Sequence, residues 1–301
     1  MPIRLGVRLA VDSEDPEEIA RAYVAAAYSA AVCPPLSLAD PAYIQAVHSA
    51  FARHDVLLAE VGCWNNLLAP DAQEREANLQ ANIEALAIAD EVGALCCVNI
   101  AGTYNASCWD GPHPRNLGAD AFTAIVENTR RIVDAVQPRR ARYTLEGMPW
   151  ALPDGPDSYL ALLKAVDRPA FAVHLDPVNW INSPARYYDN AALLRDSFQK
   201  LGPWIVSCHA KDIVLRETLT VHLDERPPCQ GALDYTVYLR ELSRQPGDVP
   251  LILEHLPQAE YPAARGAIVS AAARAGVPLY RARHGQESGE ADVAEGQGKE
   301  A

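Results

Sequence analysis

Four short apolar runs each end on a side chain able to bind a cation or carry a proton: Tyr143-Thr144-Leu145-Glu146, Ala172-Val173-His174-Leu175-Asp176, Val206-Ser207-Cys208-His209 and Leu251-Ile252-Leu253-Glu254. Runs of this length and composition read as buried strands. A lone acid at a strand end ordinarily caps the next helix or pairs with a surface lysine. Three carboxylates and an imidazole delivered by consecutive strands are a different case, because like charges in a narrow apolar mouth repel one another. A divalent cation is the simplest way to neutralise them. Carboxylate oxygens with one imidazole nitrogen suit a single Mn2+, the first choice, or Mg2+ or Co2+, better than a thiolate-preferring zinc site.

The elements that must position these residues are legible along the whole chain. Eight apolar runs recur: Ile3 to Leu9, Tyr28 to Cys33, Val56 to Val61, Leu95 to Ala101, Arg142 to Glu146, Phe171 to Asp176, Trp204 to His209 and Leu251 to Glu254. Helical segments lie between them. Asp15-Pro16 and Asp40-Pro41 offer an acidic cap followed by proline in the first turn. Ile44, Val47 and Phe51 share one helical face, as do Leu79, Ile83 and Leu86, while Glu76, Gln80 and Glu84 point away. Strands alternating with one-sided helices predict an α/β fold, a (β/α)8 TIM barrel over residues 1–283. No G-x-G-x-x-G follows the first strand and no P-loop motif occurs, which removes the chief support for an open nucleotide-binding sheet. Residues 284–301, rich in Gly, Glu and Ala, are expected to form a disordered acidic tail. The long segments Gly102 to Leu117 and Val214 to Tyr235 follow strands, on the face where barrels build their sites.

Composition narrows the partners. The 301 residues carry 39 acids against 26 Lys and Arg, a net charge of −13, which disfavours nucleic acid. No apolar run is long enough to span a bilayer, and Met1 to Ala10 lacks the pattern of a secretory signal, so a cytoplasmic location is expected. Seven cysteines without a CxxC pair imply neither a disulfide framework nor a zinc ribbon.

The runs Leu145-Glu146-Gly147, Leu175-Asp176-Pro177-Val178-Asn179, Cys208-His209-Ala210-Lys211-Asp212-Ile213 and Leu253-Glu254-His255 resemble the Glu, Asp-Pro-x-Asn, His-x-Lys-Asp and Glu motifs of the xylose isomerase-like TIM-barrel superfamily. The resemblance covers about the first 280 residues. That superfamily includes sugar and sugar-phosphate isomerases and epimerases of the tagatose 3-epimerase type, inosose dehydratases, and AP endonucleases of the endonuclease IV type. It implies Glu146, Asp176, His209 and Glu254 as metal ligands, with Glu146 and Glu254 also moving the proton next to a sugar carbonyl through a metal-stabilised enediolate. Isomerisation or epimerisation is the first expectation. A lyase or dehydratase acting on keto-sugars, 3-keto-glycosides or inososes is the alternative, and a non-catalytic sugar-binding barrel the third. Asn179 stands where the epimerases and endonucleases commonly carry histidine, and Glu60 and Asn99 replace the endonuclease's further histidines, so a three-zinc DNA-repair site is not expected. The resemblance also implies a homo-oligomer, a dimer or tetramer.

Other side chains are candidate substrate contacts: Lys211 and Asn179 beside the ligands, Glu60 and Trp64-Asn65-Asn66 after the third strand, Asn99 and Trp109 on the fourth strand and its loop, and His222 in the long loop after the seventh. Lys211 has an alternative as the ion-pair partner of Asp212 or Glu254. Trp150 is either a cover over the site or packing. His174 is expected one layer below Asp176 as a hydrogen-bonded support, and His255 to point away from the mouth. With no Arg-rich or Gly-rich phosphate cradle apparent, an unphosphorylated small-molecule sugar is the expected partner.

Overall fold

The acid–proline pairs start helices for a simple reason: the carboxylate supplies an acceptor to a first-turn N–H that has no partner within the helix. In the computed structural model, which describes residues 1–282, Asp15 accepts from Glu17 N–H at the start of α1 (Pro16–Ala25), and Asp40 from Tyr43 N–H at the start of α2 (Pro41–Arg53). Asp71 does the same for α3 (Ala72–Val92), accepting from Glu74 N–H, and that helix ends at Gly93 with a left-handed φ of +77°. The expected tail, 284–301, lies outside the described residues.

Strands β1 (Leu5–Val7), β2 (Ala30–Val32), β3 (Leu57–Gly62), β4 (Cys96–Ile100), β5 (Arg142–Glu146), β6 (Phe171–Leu175) and β7 (Ile205–Ala210) match the first seven apolar runs to within a few residues. The next two strands, β8 (Asp212–Leu215) and β9 (Leu223–Arg226), pair antiparallel with each other, and β10 (Leu251–Leu253) is the eighth member of the barrel. The barrel closes in the order β1-β10-β7-β6-β5-β4-β3-β2, and every pair in it is parallel. The remaining helices are α4 (Ala119–Val136), α5 (Pro156–Val166), α6 (Pro184–Tyr188), α7 (Asn190–Leu201), α8 (Tyr235–Ser243) and α9 (Tyr261–Ala275).

Register fixes what meets at the mouth. Glu146 lies beside Ile100 of β4 and His174 of β6, and His209 beside Ile252 of β10. The main core joins strands to helices. Ile44, Val47 and Phe51 of α2 and Leu79 and Leu86 of α3 are buried in it, each worth roughly 1.5–3 kcal/mol relative to exposure. A separate small cluster, Ala30, Val32, Ala59 and Ile252, fills space between β2, β3 and β10. Gly6 on β1 allows this packing, because a Cβ there would collide with Ile252 and approach the Ala30 carbonyl oxygen to 2.8 Å. Among the described residues no helix is long and apolar enough to cross a membrane.

The segment after β7, expected only as a long loop, contains the β8–β9 hairpin. Its base is closed by buried Asp212, whose Oδ1 accepts from the N–H groups of Ile213 (2.8 Å) and Leu233 (2.9 Å). Asp212 therefore faces away from Lys211 and does not pair with it.

Candidate metal centre

Glu146 closes β5, Asp176 follows β6, His209 lies near the end of β7 and Glu254 follows β10. Each offers one ligand atom, and these four atoms lie within 4.8 Å of one another. His209 Nδ1 is 2.9 Å from Glu254 Oε1, 3.5 Å from Glu146 Oε2 and 4.0 Å from Asp176 Oδ2. The Lys211 ammonium stands 2.6 Å from Asp176 Oδ2 and 2.7 Å from Glu254 Oε1. Even so, Asp176 Oδ2, His209 Nδ1 and Glu254 Oε1 are buried without a directional hydrogen bond. Their neighbours are close in distance but wrongly angled. Ligand atoms that converge on one point without directional hydrogen bonds fit a small cation, which has no such directional demand.

The electrostatics of the group follow from burial. Burial and the repulsion of Glu254 would raise the Glu146 carboxyl, but His209 and Lys211 outweigh them and bring it down to about 2. Burial would likewise raise Glu254, and the same two cations hold it well below the usual carboxylate range. At Asp176 the balance reverses: burial, reinforced by Glu146 and Glu254, exceeds the pull of Lys211 and pushes the carboxyl up to about 8. His209 and Lys211 are disfavoured as cations by burial, yet the surrounding acids hold both well above their ordinary values.

Several tethers position these groups from outside the barrel. Tyr238 and Tyr235, on α8, donate to the backbone carbonyls of His209 (2.8 Å) and Lys211 (2.6 Å). Tyr159, on α5, sits 2.8 Å from the carbonyl oxygens of Leu145 and Ala172 and accepts from Leu145 N–H at 3.1 Å. Gly147 keeps the backbone after Glu146 against the buried Trp180 indole, where any Cβ would collide. Beneath the imidazole, buried Glu60 meets His209 Nε2 at 3.3 Å and His174 Nε2 at 2.9 Å, and accepts from Ser207 Oγ at 3.2 Å. Burial alone would raise the Glu60 carboxyl; the positive charge of His209 and His174 more than reverses this and lowers it. An ionised carboxylate only accepts, so His209 Nε2 carries a proton and Nδ1 is the nitrogen turned toward the acids.

The mouth opens into a cavity of about 580 Å³. Asn179, Lys211, Trp64, Trp109 and Trp150 line it together with Glu146, His209 and Glu254, and Glu60 forms part of its floor. Asn179 Nδ2 donates to Glu146 Oε1 at 2.8 Å, and Lys211 Nζ donates to Asn179 Oδ1 at 3.3 Å. Trp150 Nε1 donates to the Asp110 carbonyl at 2.7 Å, joining the loops after β4 and β5.

Asn99 and His222 do not reach this wall. Asn99 is turned outward, where its Nδ2 donates to Asn65 and Asn82 and its Oδ1 accepts from Asn65 N–H. Exposed His222 lies at the far end of the hairpin, its carbonyl accepting from Arg216 N–H at 2.9 Å. Asn65 and Asn66 brace loops: Asn66 Oδ1 accepts from Leu68 and Thr103 N–H. His174 supports Glu60 from below, as expected. His255 differs, because a left-handed φ of +57° breaks the strand alternation and turns it into the cavity wall, 3.1 Å from Glu225. Glu225 lies in the segment Val214 to Tyr235 expected on this face but is not singled out by any motif; it arrives on β9 and stands 3.7 Å from Lys211 Nζ.

A closed parallel barrel whose strand ends gather acids and an imidazole at the C-terminal mouth defines a TIM-barrel protein with its candidate site on the loop face. The chain belongs to the xylose isomerase-like TIM barrel family, whose model matches residues 24–273. Compared with curated proteins, it matches none. Among solved structures it resembles a 3-keto-D-glucoside 4-epimerase from E. coli, with 15% identity, a TM-score of 0.63, and 91% of this chain and 99% of that one covered. A probable 3-DHS dehydratase from Bacillus anthracis gives 15%, 0.64, 89% and 98% in the same order. A xylose isomerase-like TIM barrel protein from Mycobacterium smegmatis, in complex with magnesium, gives 15%, 0.61, 91% and 97%. At these identities the likeness is one of fold.

Proposed function

We propose that this chain is a divalent-metal-dependent enzyme, Mn2+ being the first choice of ion, that moves a proton next to the carbonyl of a sugar or cyclitol as an isomerase or epimerase. The observation that carries this is the convergence of Glu146, Asp176, His209 and Glu254, three of whose ligand atoms are buried without directional partners. These four residues would hold the ion. Once bound, it would supply positive charge against the negative charge that develops on substrate oxygens.

The rest of the chemistry falls to the chain's own groups. Glu146 and Glu254 come from strands separated in the barrel by β6 and β7, so they address a bound carbon from different sides. Both are held ionised, the form that takes up a proton. One removes the proton; the other must first take up a proton from solvent before delivering it to the carbon, and the first then releases its own to solvent. Asn179 and Lys211, already linked to Glu146 and to each other, orient hydroxyls. Glu60 keeps the His209 proton at Nε2, and the tryptophans cover C–H faces and limit water.

Metal analysis of the purified protein tests the proposal, with a single divalent ion expected that is lost in Glu146→Ala and His209→Ala. Ketoses incubated with Mn2+ and enzyme in D2O should gain deuterium at the carbon beside the carbonyl. Release of a β-substituent instead would assign elimination to the same residues. Absence of metal together with unchanged behaviour of Glu254→Ala would refute the mechanism.

A further inference from the structure

The cavity over the metal-type residues is not isolated. A second cavity, of about 560 Å³, adjoins it beyond the ends of β1 and β2, and the two share Arg8 and Val32. Arg8 directly follows β1, so it occupies on that strand the place that Asp176 and Glu254 occupy on theirs. Its backbone carbonyl is fixed by Gln258 Nε2 at 3.1 Å, while its side chain is exposed. The other cations of the mouth are committed: Lys211 to Asp176 and Glu254, His209 to the acids around it, and His255 to Glu225. Among the described residues the Arg8 guanidinium has no acid within ion-pair distance and no hydrogen-bond acceptor. Arg8 lines the second cavity with Tyr23 and Cys33 and the first with Tyr261, so it stands at the junction.

In a chain of net charge −13, a cation left without a counter-ion beside a strongly acidic centre is unlike its surroundings. A guanidinium offers a planar fork of donors that matches an oxyanion far better than it matches a single hydroxyl. We propose that Arg8 is the recognition group for an oxyanion, a carboxylate or a phosphate, carried by the substrate at the junction of the two cavities. The carbonyl end of that substrate then lies over Glu146, Asp176, His209 and Glu254, and the second cavity holds what extends beyond the charged group. The substrate class becomes an acidic sugar derivative rather than a neutral sugar. This rests on the proposed function for the other end of the molecule, but the anion site itself does not require turnover.

The test is binding to the intact Mn2+-supplemented protein, followed by isothermal titration and by fluorescence of the tryptophans in the mouth. The probes are fructose, fructuronate and fructose 6-phosphate. At least one anionic probe should bind about tenfold or more tightly than fructose, the factor that about 1.4 kcal/mol confers. Comparing the two anions identifies which oxyanion is recognised. Arg8→Gln should remove that preference and leave fructose binding unchanged, and Arg8→Lys should restore part of it. Equal affinity of all three probes, or an equal loss for fructose and the anions in Arg8→Gln, overturns the proposal. If the protein holds no metal yet retains Arg8-dependent anion binding, the proton-transfer function fails and the anion site stands; if metal and deuterium exchange are present without anion preference, the reverse holds.

Discussion

Glu60→Gln probes the support beneath His209 without changing side-chain volume. In the native arrangement one ionised, buried carboxylate faces three donors, the Nε2 atoms of His174 and His209 and the Ser207 hydroxyl. The amide retains one acceptor oxygen but presents N–H groups where the second oxygen stood, so at least one of the three loses its acceptor and meets a donor. Hydrogen bonds to a charged group contribute about 1.5–3 kcal/mol each, and a buried unsatisfied group costs about 1–3 kcal/mol. A net loss of about 2–4 kcal/mol is expected. At roughly 2–4 °C per kcal/mol for a domain of this size, Tm falls by about 4–16 °C. The effect on the site is separate: His209 loses the group that fixes its proton at Nε2, and Mn2+ affinity should fall about 10–100-fold. Calorimetric unfolding gives the first quantity, and Mn2+ titration followed by electron paramagnetic resonance, at a temperature where the variant is folded, gives the second. A lower Tm with unchanged Mn2+ affinity would reduce Glu60 to a packing role. No change in either would refute the reasoning altogether.

Two further substitutions test how the site's surroundings are built. Gly147→Ala forces a methyl group into the Trp180 indole and to 2.8 Å from the Pro153 carbonyl oxygen; overpacking of this kind costs about 1–3 kcal/mol, and thermal melts with Mn2+ titration should show stability and affinity falling together. Asp90 Oδ1 accepts from the N–H groups of Arg139, Arg140 and Ala141 at 2.9, 2.5 and 2.9 Å, and although burial opposes ionisation these bonds hold its carboxyl below the usual 3.8. A depressed folded-state pKa means that its stabilisation is complete above the ordinary carboxylate value and lost as pH falls through the folded one. Asp90→Asn should therefore cost about 1–2 kcal/mol at neutral pH and flatten the acid limb of stability measured by urea unfolding below about pH 4; an unaltered pH profile would contradict this assignment.

The barrel is legible because each of its strands is a short apolar run and helices such as α2 and α3 carry an apolar face, and the four convergent residues because each is the polar end of such a run. What escaped depended on features that no local pattern encodes. Asn99 reads from its run as a mouth residue, but register sets Ile100 beside Glu146, so its neighbour faces outward toward Asn82 of α3. His255 follows Glu254 and by alternation should point away, yet its left-handed backbone brings it back. Glu225 reaches Lys211 only through antiparallel pairing of two four-residue strands, with no two-residue Asn-Gly or Asp-Gly turn to announce it. The partners of Lys211 are half visible in the sequence: Glu254 is expected, and Asp176, which follows the neighbouring strand β6, joins it because the ammonium stands between the two strand ends.

The tyrosine tethers of α8 bear on how this fold can be re-engineered. The hairpin leaves the barrel after Ala210 and the chain returns at α8, whose Tyr235 and Tyr238 grip the carbonyls of Lys211 and His209 from behind. Both ends of the excursion are thus anchored without help from its tip. A hairpin grafted between Ile213 and Leu233 would leave these two tethers in place, provided that it supplies an acid where Glu225 meets Lys211 and His255.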